Sequence, residues 1–158
     1  MSSSIPASFS PDDSVVATGP RGQRAHQQQF THLERLAEGF HEVTDHVWCQ
    51  VGNGLSNQTF IEGPEGLIVI DTGESIEEMN ASLSAVREYC SAPVAAVIYT
   101  HYHYCSGTQA LLNGQNDDMP IWGHFGIEKN LQTMATEISP TGGRGLVHQF
   151  SMLLPEEG

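Results

Sequence analysis

The chain has 158 residues, which is long enough for one compact domain with its own hydrophobic core. Six Lys and Arg residues stand against 19 Asp and Glu residues, so the formal net charge is -13. This balance argues against a nucleic acid or an anionic membrane surface as partner, because both attract basic proteins. No apolar stretch approaches the length of a membrane span, and the N-terminus lacks the pattern of a secretion signal, so we expect a cytoplasmic protein.

The three cysteines do not suggest a disulfide framework, because their number is odd and their spacing irregular. Cys49 falls in a predicted strand and Cys90 at the end of a predicted helix, where each is expected to serve as a small buried hydrophobic residue. Cys105 lies close to His101 and His103, in a segment with candidate metal ligands.

The N-terminal part of the chain differs in composition from the rest. Residues 1–29 are rich in Ser, Pro, Gly and Gln and show no apolar periodicity, which predicts a mobile or extended arm. Residues 30–158 are predicted to form the domain. Its first element is a short amphipathic helix in "FTHLERLAEGF".

Short apolar strings then predict a sheet. "HVWCQV" and "NQTFIEG" are typical of two strands joined by the turn cluster "GNGLS". "LIVID", residues 67–71, is rich in β-branched residues and predicts a buried strand.

A helix and another strand follow. Ser75 and Glu78 have the spacing of a capping box, and apolar residues then recur at helical spacing as far as Cys90. Residues 94–100 predict a second buried strand. Strand, helix and strand of these lengths form a βαβ unit with a parallel pair of strands. "GTQALLN" predicts a short helix and "PIWGH" a short strand.

Two histidines lie at the end of the second buried strand. His101 and His103 follow "AVIYT", and Asp71 follows the preceding strand. In open α/β sheets, function gathers at the carboxyl ends of the strands. The His-x-His spacing allows two imidazoles to face one divalent ion, with Asp71 as the catalytic candidate that orients a ligand.

The order of these motifs resembles the N-terminal half of a metallo-β-lactamase-fold hydrolase. "LSNQTFIEGPEGLIVIDTG" and "PVAAVIYTHYHYCSGTQALL" carry this resemblance. Within the superfamily, the chain most resembles the alkylsulfatase-like branch in "GLSNQTFIEG", "AVIYTH" and "RGLVHQFSMLLP". The match covers residues 42–155. It implies an α/β (α+β) fold that is half of an αββα sandwich, with a mixed sheet and flanking helices. It also implies zinc, as one or two divalent metal ions, and hydrolysis of a small-molecule ester such as an alkyl sulfate by metal-bound hydroxide.

Residues 101–106, called the histidine loop below, depart from the family pattern His-x-His-x-Asp-His. His101 and His103 match its first two positions, while Cys105 occupies the Asp position and Ser106 the last His position. Cys105 could ligate a metal as thiolate, or it could be a packing residue with the second metal site weakened. Ser106 is expected to cap the helix that follows.

The second departure is that the family's remaining ligands lie in the other half of the fold. His124 and His148 are weaker ligand candidates. Three alternatives stay open: the chain is the front part of a longer hydrolase, or a non-catalytic half-domain that binds metal weakly or pairs with a partner, or one partner in a homodimer that rebuilds the sandwich.

Overall fold

The computed structural model describes residues 12–112 and 118–138. The predicted ligand candidate His148 lies outside these residues. The chain divides into two compact units. The first includes the described residues up to Arg35, and the second begins at Leu36. The predicted boundary between an arm over residues 1–29 and a domain over residues 30–158 stays a prediction. No helix in the described part of the chain is long and apolar enough to cross a membrane.

The first unit contains a small hairpin followed by a helix. Strands β1 (Val16–Thr18) and β2 (Arg24–His26) pair antiparallel, and helix α1 (Gln27–Arg35) follows directly.

The second unit is built on a six-stranded mixed sheet. Its strands are β3 (Gly39–Thr44), β4 (Val47–Val51), β5 (Gln58–Gly63), β6 (Gly66–Ile70), β7 (Val94–Ile98) and β8 (Ile121–Trp122). Its helices are α2 (Ile76–Val86), a 3₁₀-helix (Ser106–Ala110), α3 (Ile127–Thr133) and a π-helical turn (Met134–Ile138). The strands lie in chain order, antiparallel from β3 to β6 and parallel from β6 to β8. The predicted mixed α/β fold and the parallel βαβ pair are therefore confirmed.

Helix α2 covers one face of this sheet. Phe60, Val69 and Val97 are register partners across β5, β6 and β7, and all three are fully buried. From the helix, Met79 and Val86 are fully buried in the same core cluster. The strands alternate buried and partly exposed residues because successive side chains point to opposite faces.

The start of α2 agrees with the predicted cap. The Ser75 hydroxyl accepts a hydrogen bond from the Glu78 N–H at 3.1 Å. The Glu78 carboxylate accepts from the N–H of Glu74 at 3.0 Å, one residue before the position that a capping box uses. Both interactions satisfy amide groups around the first turn of α2.

A buried polar network holds the β4–β5 connection against α2. The Gln58 amide donates to Ser56 Oγ at 2.6 Å and accepts from Ser82 Oγ at 2.9 Å. Asn53 donates to the Glu78 carbonyl at 2.8 Å. Gln58 and Ser82 are fully buried, and these bonds offset the cost of burying their polar atoms.

Candidate metal site at the carboxyl edge of the sheet

The site begins where two parallel strands end. Strand β6 ends at Ile70 and β7 at Ile98, and the Asp71 N–H donates to the Ile98 carbonyl at 2.9 Å. Asp71 has a backbone φ of 57°, a left-handed conformation that Asp adopts more readily than most residues. This turn directs the chain from β6 into the loop before α2.

The Asp71 carboxylate is committed to one neighbour. Oδ1 accepts from the Thr100 N–H at 2.9 Å, and Oδ2 accepts from the Thr100 hydroxyl at 2.6 Å. Asp71 is only 7% exposed. Both carboxylate oxygens of Asp71 are therefore hydrogen-bonded to the residue that directly precedes His101.

Thr100 passes this constraint to the first histidine. Its hydroxyl oxygen lies 2.8 Å from His101 Nδ1. Because the single hydroxyl proton is donated to Asp71, the oxygen can only accept from His101, so Nδ1 carries the proton. In the neutral ring the lone pair then lies on Nε2, which is the form in which imidazole binds a metal.

The two histidines are neighbours in space. Their ring centroids lie 5.1 Å apart at an interplanar angle of 73°. Partial burial, and secondly the nearby His101, lower the pKa of His103. Both effects favour the neutral ring of His103, since each penalises the cation.

The loop after β7, which carries the histidines, is hydrogen-bonded to the start of the loop after β6. The Thr72 N–H donates to the Tyr104 carbonyl at 2.8 Å, and the Thr72 hydroxyl lies 2.9 Å from that of Thr108. Gly107 packs so closely that a Cβ there would lie 1.9 Å from the Thr72 carbonyl oxygen. This close approach holds the histidine loop on the βα turn.

Cys105 and Ser106 occupy the two positions that depart from the family pattern. The Cys105 thiol donates to the Tyr102 carbonyl at 3.2 Å, and burial raises its pKa. Cys105 is the N-cap residue of the 3₁₀-helix, and Ser106 is the first residue inside it. The predicted capping role of Ser106 is therefore wrong, because the chain turns one residue earlier.

The donor set fits a metal ion in part. His101 and His103 provide adjacent imidazoles, a donor type that suits zinc. Among residues 12–112 and 118–138, no group of three or more His, Cys, Asp or Glu side chains is arranged to hold one ion. His124 is used locally, since its Nδ1 accepts from the Gly126 N–H at 3.1 Å. A ligand role for Cys105 stays a prediction.

The electrostatic surroundings of the site are acidic. Burial, and secondly Glu78, raise the pKa of Glu74. Burial raises the pKa of Tyr104, followed by the charges of Glu74, Asp71 and Glu78. A negative field of this kind favours a cation at the site.

The histidine motif alone does not predict the part played by two threonines. Thr100 and Thr72 connect the two loops, and only their places at the strand ends, beside His101 and Asp71, could have indicated this. The alternation of apolar and polar residues along a strand does not show which group a hydroxyl will bond, because these hydrogen bonds join residues 29 or more positions apart in the chain.

Sequence comparisons agree with this arrangement. The family model of the Metallo-beta-lactamase superfamily matches residues 51–104, which include Asp71 and both histidines. A linear primary-alkylsulfatase of Pseudomonas sp. (strain ATCC 19151) is 28% identical over 102 residues, or 61% of this chain and 19% of that protein. An alkyl/aryl-sulfatase of Saccharomyces cerevisiae is 42% identical over 66 residues, or 41% of this chain and 10% of that protein.

A solved structure shows the same fold. The stereoselective inverting sec-alkylsulfatase Pisa1 from Pseudomonas sp. matches with a TM-score of 0.58 and 21% identity, over 82% of this chain and 24% of that one. The matches thus span at most about a quarter of the length of these relatives. Over part of its length, the chain is therefore similar in sequence to the Metallo-beta-lactamase superfamily and to alkylsulfatases, and it shares the fold of Pisa1.

Proposed function

We propose that this chain contributes the His101–His103 part of the metal site of a hydrolase. The reaction is cleavage of a small-molecule ester such as an alkyl sulfate, and the remaining ligands come from outside the described residues. One observation carries the proposal: two imidazole rings lie at the carboxyl edge of parallel strands with their centroids 5.1 Å apart, and the proton of His101 is on Nδ1, which leaves the lone pair on Nε2. The similarity to named alkylsulfatases supports the substrate class.

The residues of this chain have defined tasks in that reaction. Asp71 and Thr100 hold the His101 ring in the tautomer that leaves Nε2 as the ligand atom. The packing of Gly107 on Thr72 fixes the loop that carries both histidines. A bound zinc would supply Lewis acidity for ester cleavage.

Zinc titration of the chain tests the metal site. We expect His101→Ala or His103→Ala to weaken zinc binding by about tenfold or more, because each removes one ligand. His41→Ala is the matched control, since His41 is exposed on β3 at the far edge of the sheet. Equal zinc affinity in the wild type and the His101→Ala/His103→Ala variant would reject the proposed site.

Sulfate release from octyl sulfate tests the reaction. We expect zinc-dependent release that is lost in the His101→Ala/His103→Ala variant and kept in His41→Ala. Release that is unchanged in the double variant would contradict the proposed role of the pair.

A second candidate function is metal binding without turnover. The specific observation in its favour is that the described residues offer two adjacent imidazoles and no group of three or more ligands. A catalytic zinc site usually has three protein ligands and an open position. Saturable zinc binding through His101 and His103, with no sulfate release by the zinc-loaded chain, would favour this function over hydrolysis.

A further inference from the structure

We propose that one zinc ion joins two copies of this chain, with His101 and His103 of each copy as its four ligands. The proposal rests on the metal-binding part of the proposed function. It adds a partner, a second copy, and a closed state of the same site.

The first step of the argument is ligand number. Zinc prefers four ligands in a tetrahedral arrangement. His101 and His103 supply two per chain, and the described residues contain no group of three or more ligands. A twofold axis that passes beside this pair would bring four imidazoles around one ion, because a twofold contact places the same patch of both copies together.

The second step is the apolar surface on the same side of the sheet. Trp122 is the register partner of Ile98 on the parallel strand β7. Phe125 comes three residues after Trp122, just as His101 comes three residues after Ile98. The histidines and these aromatic residues therefore leave the sheet at one edge. Trp122 is 66% exposed and Phe125 is 94% exposed.

Exposed aromatic residues of this size are typical of contact surfaces. None of the residues of β8, α3 and the π-helical turn is buried within the described part of the chain. This edge, defined here by Trp122 and Phe125, offers apolar surface for a second copy to cover.

The third step is charge. Each chain carries a formal charge of -13. After burial, the negative charges of Glu74, Asp71 and Glu78 raise the pKa of Tyr104 in the histidine loop. Two such edges repel each other when no cation lies between them. A divalent cation at the axis offsets this repulsion, so association should require the metal.

The closed site has a chemical consequence. A zinc ion with four protein ligands has no open position for water or ester, which is the arrangement of structural zinc sites. The zinc-bridged pair is therefore a state of the chain that does not hydrolyse ester. The sulfate release expected of the zinc-loaded chain then comes from unpaired copies, and it falls per chain as the chain concentration rises.

Light scattering of the whole chain, with and without zinc, tests the proposal. We expect the 17.2 kDa monomer in chelator and twice that mass with zinc, at one bound zinc per two chains. His101→Ala and His103→Ala should each abolish the zinc-dependent dimer, whereas His41→Ala should keep it. His101 is exposed, so circular dichroism is expected to report an unchanged fold.

A second pair of variants tests the apolar contact. Phe125→Ser should raise the zinc concentration needed for half dimerisation about tenfold, since a buried aromatic anchor carries much of an interface's energy. Val43→Ser is the matched control, because Val43 is 64% exposed on β3 at the other edge of the sheet. An equal effect of both variants would overturn the assignment of this edge to the contact.

The outcomes separate the bridge from the proposed function. One zinc bound per monomer would overturn the bridge and leave the His101–His103 metal site standing. No zinc binding would overturn both. A dimer that persists in chelator, or in the His101→Ala variant, would overturn the bridge whatever its zinc content.

Discussion

Asp71 and Thr100 are joined by two hydrogen bonds, one to the Thr100 N–H at 2.9 Å and one to its hydroxyl at 2.6 Å. The pair connects the ends of two parallel strands, and the hydroxyl also contacts Nδ1 of His101. A buried carboxylate thereby controls the proton on an exposed ring, although the two groups share no direct contact in this network.

The first prediction concerns the Asp71 carboxylate. Asp71→Asn keeps the shape of the side chain and tolerates a φ of 57°, but its amide nitrogen cannot accept a hydrogen bond. We expect the free energy of unfolding to fall by about 1–3 kcal/mol and zinc affinity by about 10- to 100-fold. Urea unfolding and zinc titration measure the two effects. Zinc affinity equal to that of the wild type would contradict the positioning role.

The second prediction separates the Thr100 hydroxyl from the rest of its side chain. Thr100→Val removes the hydroxyl between Asp71 and His101, so the Nδ1–H tautomer of His101 loses its acceptor. We expect zinc affinity to fall about tenfold or more, and Thr100→Ser to restore it. The nitrogen chemical shifts of His101 report the tautomer directly. A Val variant that keeps the Nδ1–H tautomer would refute this assignment.

The third prediction tests the anchoring of the histidine loop. A Cβ at Gly107 would lie 1.9 Å from the Thr72 carbonyl oxygen and 2.7 Å from that of Ser75, and neither backbone atom can yield easily. We expect Gly107→Ala to lower the free energy of unfolding by about 1–3 kcal/mol. Gly63→Ala is the control, because its nearest atom is 3.6 Å away. Equal stability of the two variants in urea would argue against close packing at Gly107.

The sheet and helix α2 follow from sequence patterns that are local. The β-branched run before Asp71 and the cap at Ser75 each report their element within a few residues. The parallel pairing of β6 and β7 follows from the length of the connection between them. These elements could therefore be predicted from the sequence alone.

The details of the site depend on contacts that no local pattern records. The bonds from Asp71 to Thr100 and from Thr72 to Tyr104 join residues far apart in the chain. The start of the 3₁₀-helix at Ser106 depends on how the loop packs against Gly73, so a capping propensity placed it one residue late. Pairing of the two histidines was predictable because their spacing is fixed by sequence.

The fourth prediction concerns pH and a contact at the opposite end of the strands. His46 Nδ1 lies 2.7 Å from Glu62 Oε2. The hydrogen bond to Glu62 raises the pKa of His46 above its ordinary value of 6.5, and the bond from His46 lowers the pKa of Glu62 below 4.5.

The sign of the pH effect follows from these two shifts. The raised pKa of His46 stabilises the fold fully below 6.5 and ceases to do so as the pH rises through its folded value. The lowered pKa of Glu62 stabilises the fold above 4.5 and ceases to do so as the pH falls through its folded value. The pair therefore contributes most between these two pH values.

We expect His46→Gln to destabilise the chain more near pH 5.5 than near pH 8.5, by a small amount because the pair is exposed. Urea unfolding at low salt measures the difference at both pH values. His41→Gln is the matched control, and a pH-independent effect of His46→Gln would contradict the ion pair.

The fifth prediction decides between the two roles open to Cys105. As a zinc ligand, Cys105 would have to give up the hydrogen bond from its thiol to the Tyr102 carbonyl and its proton. As a packing residue it keeps both. We expect Cys105→Ser to leave zinc affinity within about twofold of the wild type, because an affinity carried by two imidazoles does not involve the thiol.

Cobalt provides the measurement with the clearest contrast for Cys105. A thiolate ligand gives cobalt an intense near-ultraviolet charge-transfer absorption, which imidazole ligands do not produce. We expect the cobalt-loaded wild type to lack this band and to match Cys105→Ser, while the His101→Ala variant loses cobalt binding. A band present in the wild type and absent in Cys105→Ser would make Cys105 a ligand, and the site would then hold three donors from one chain.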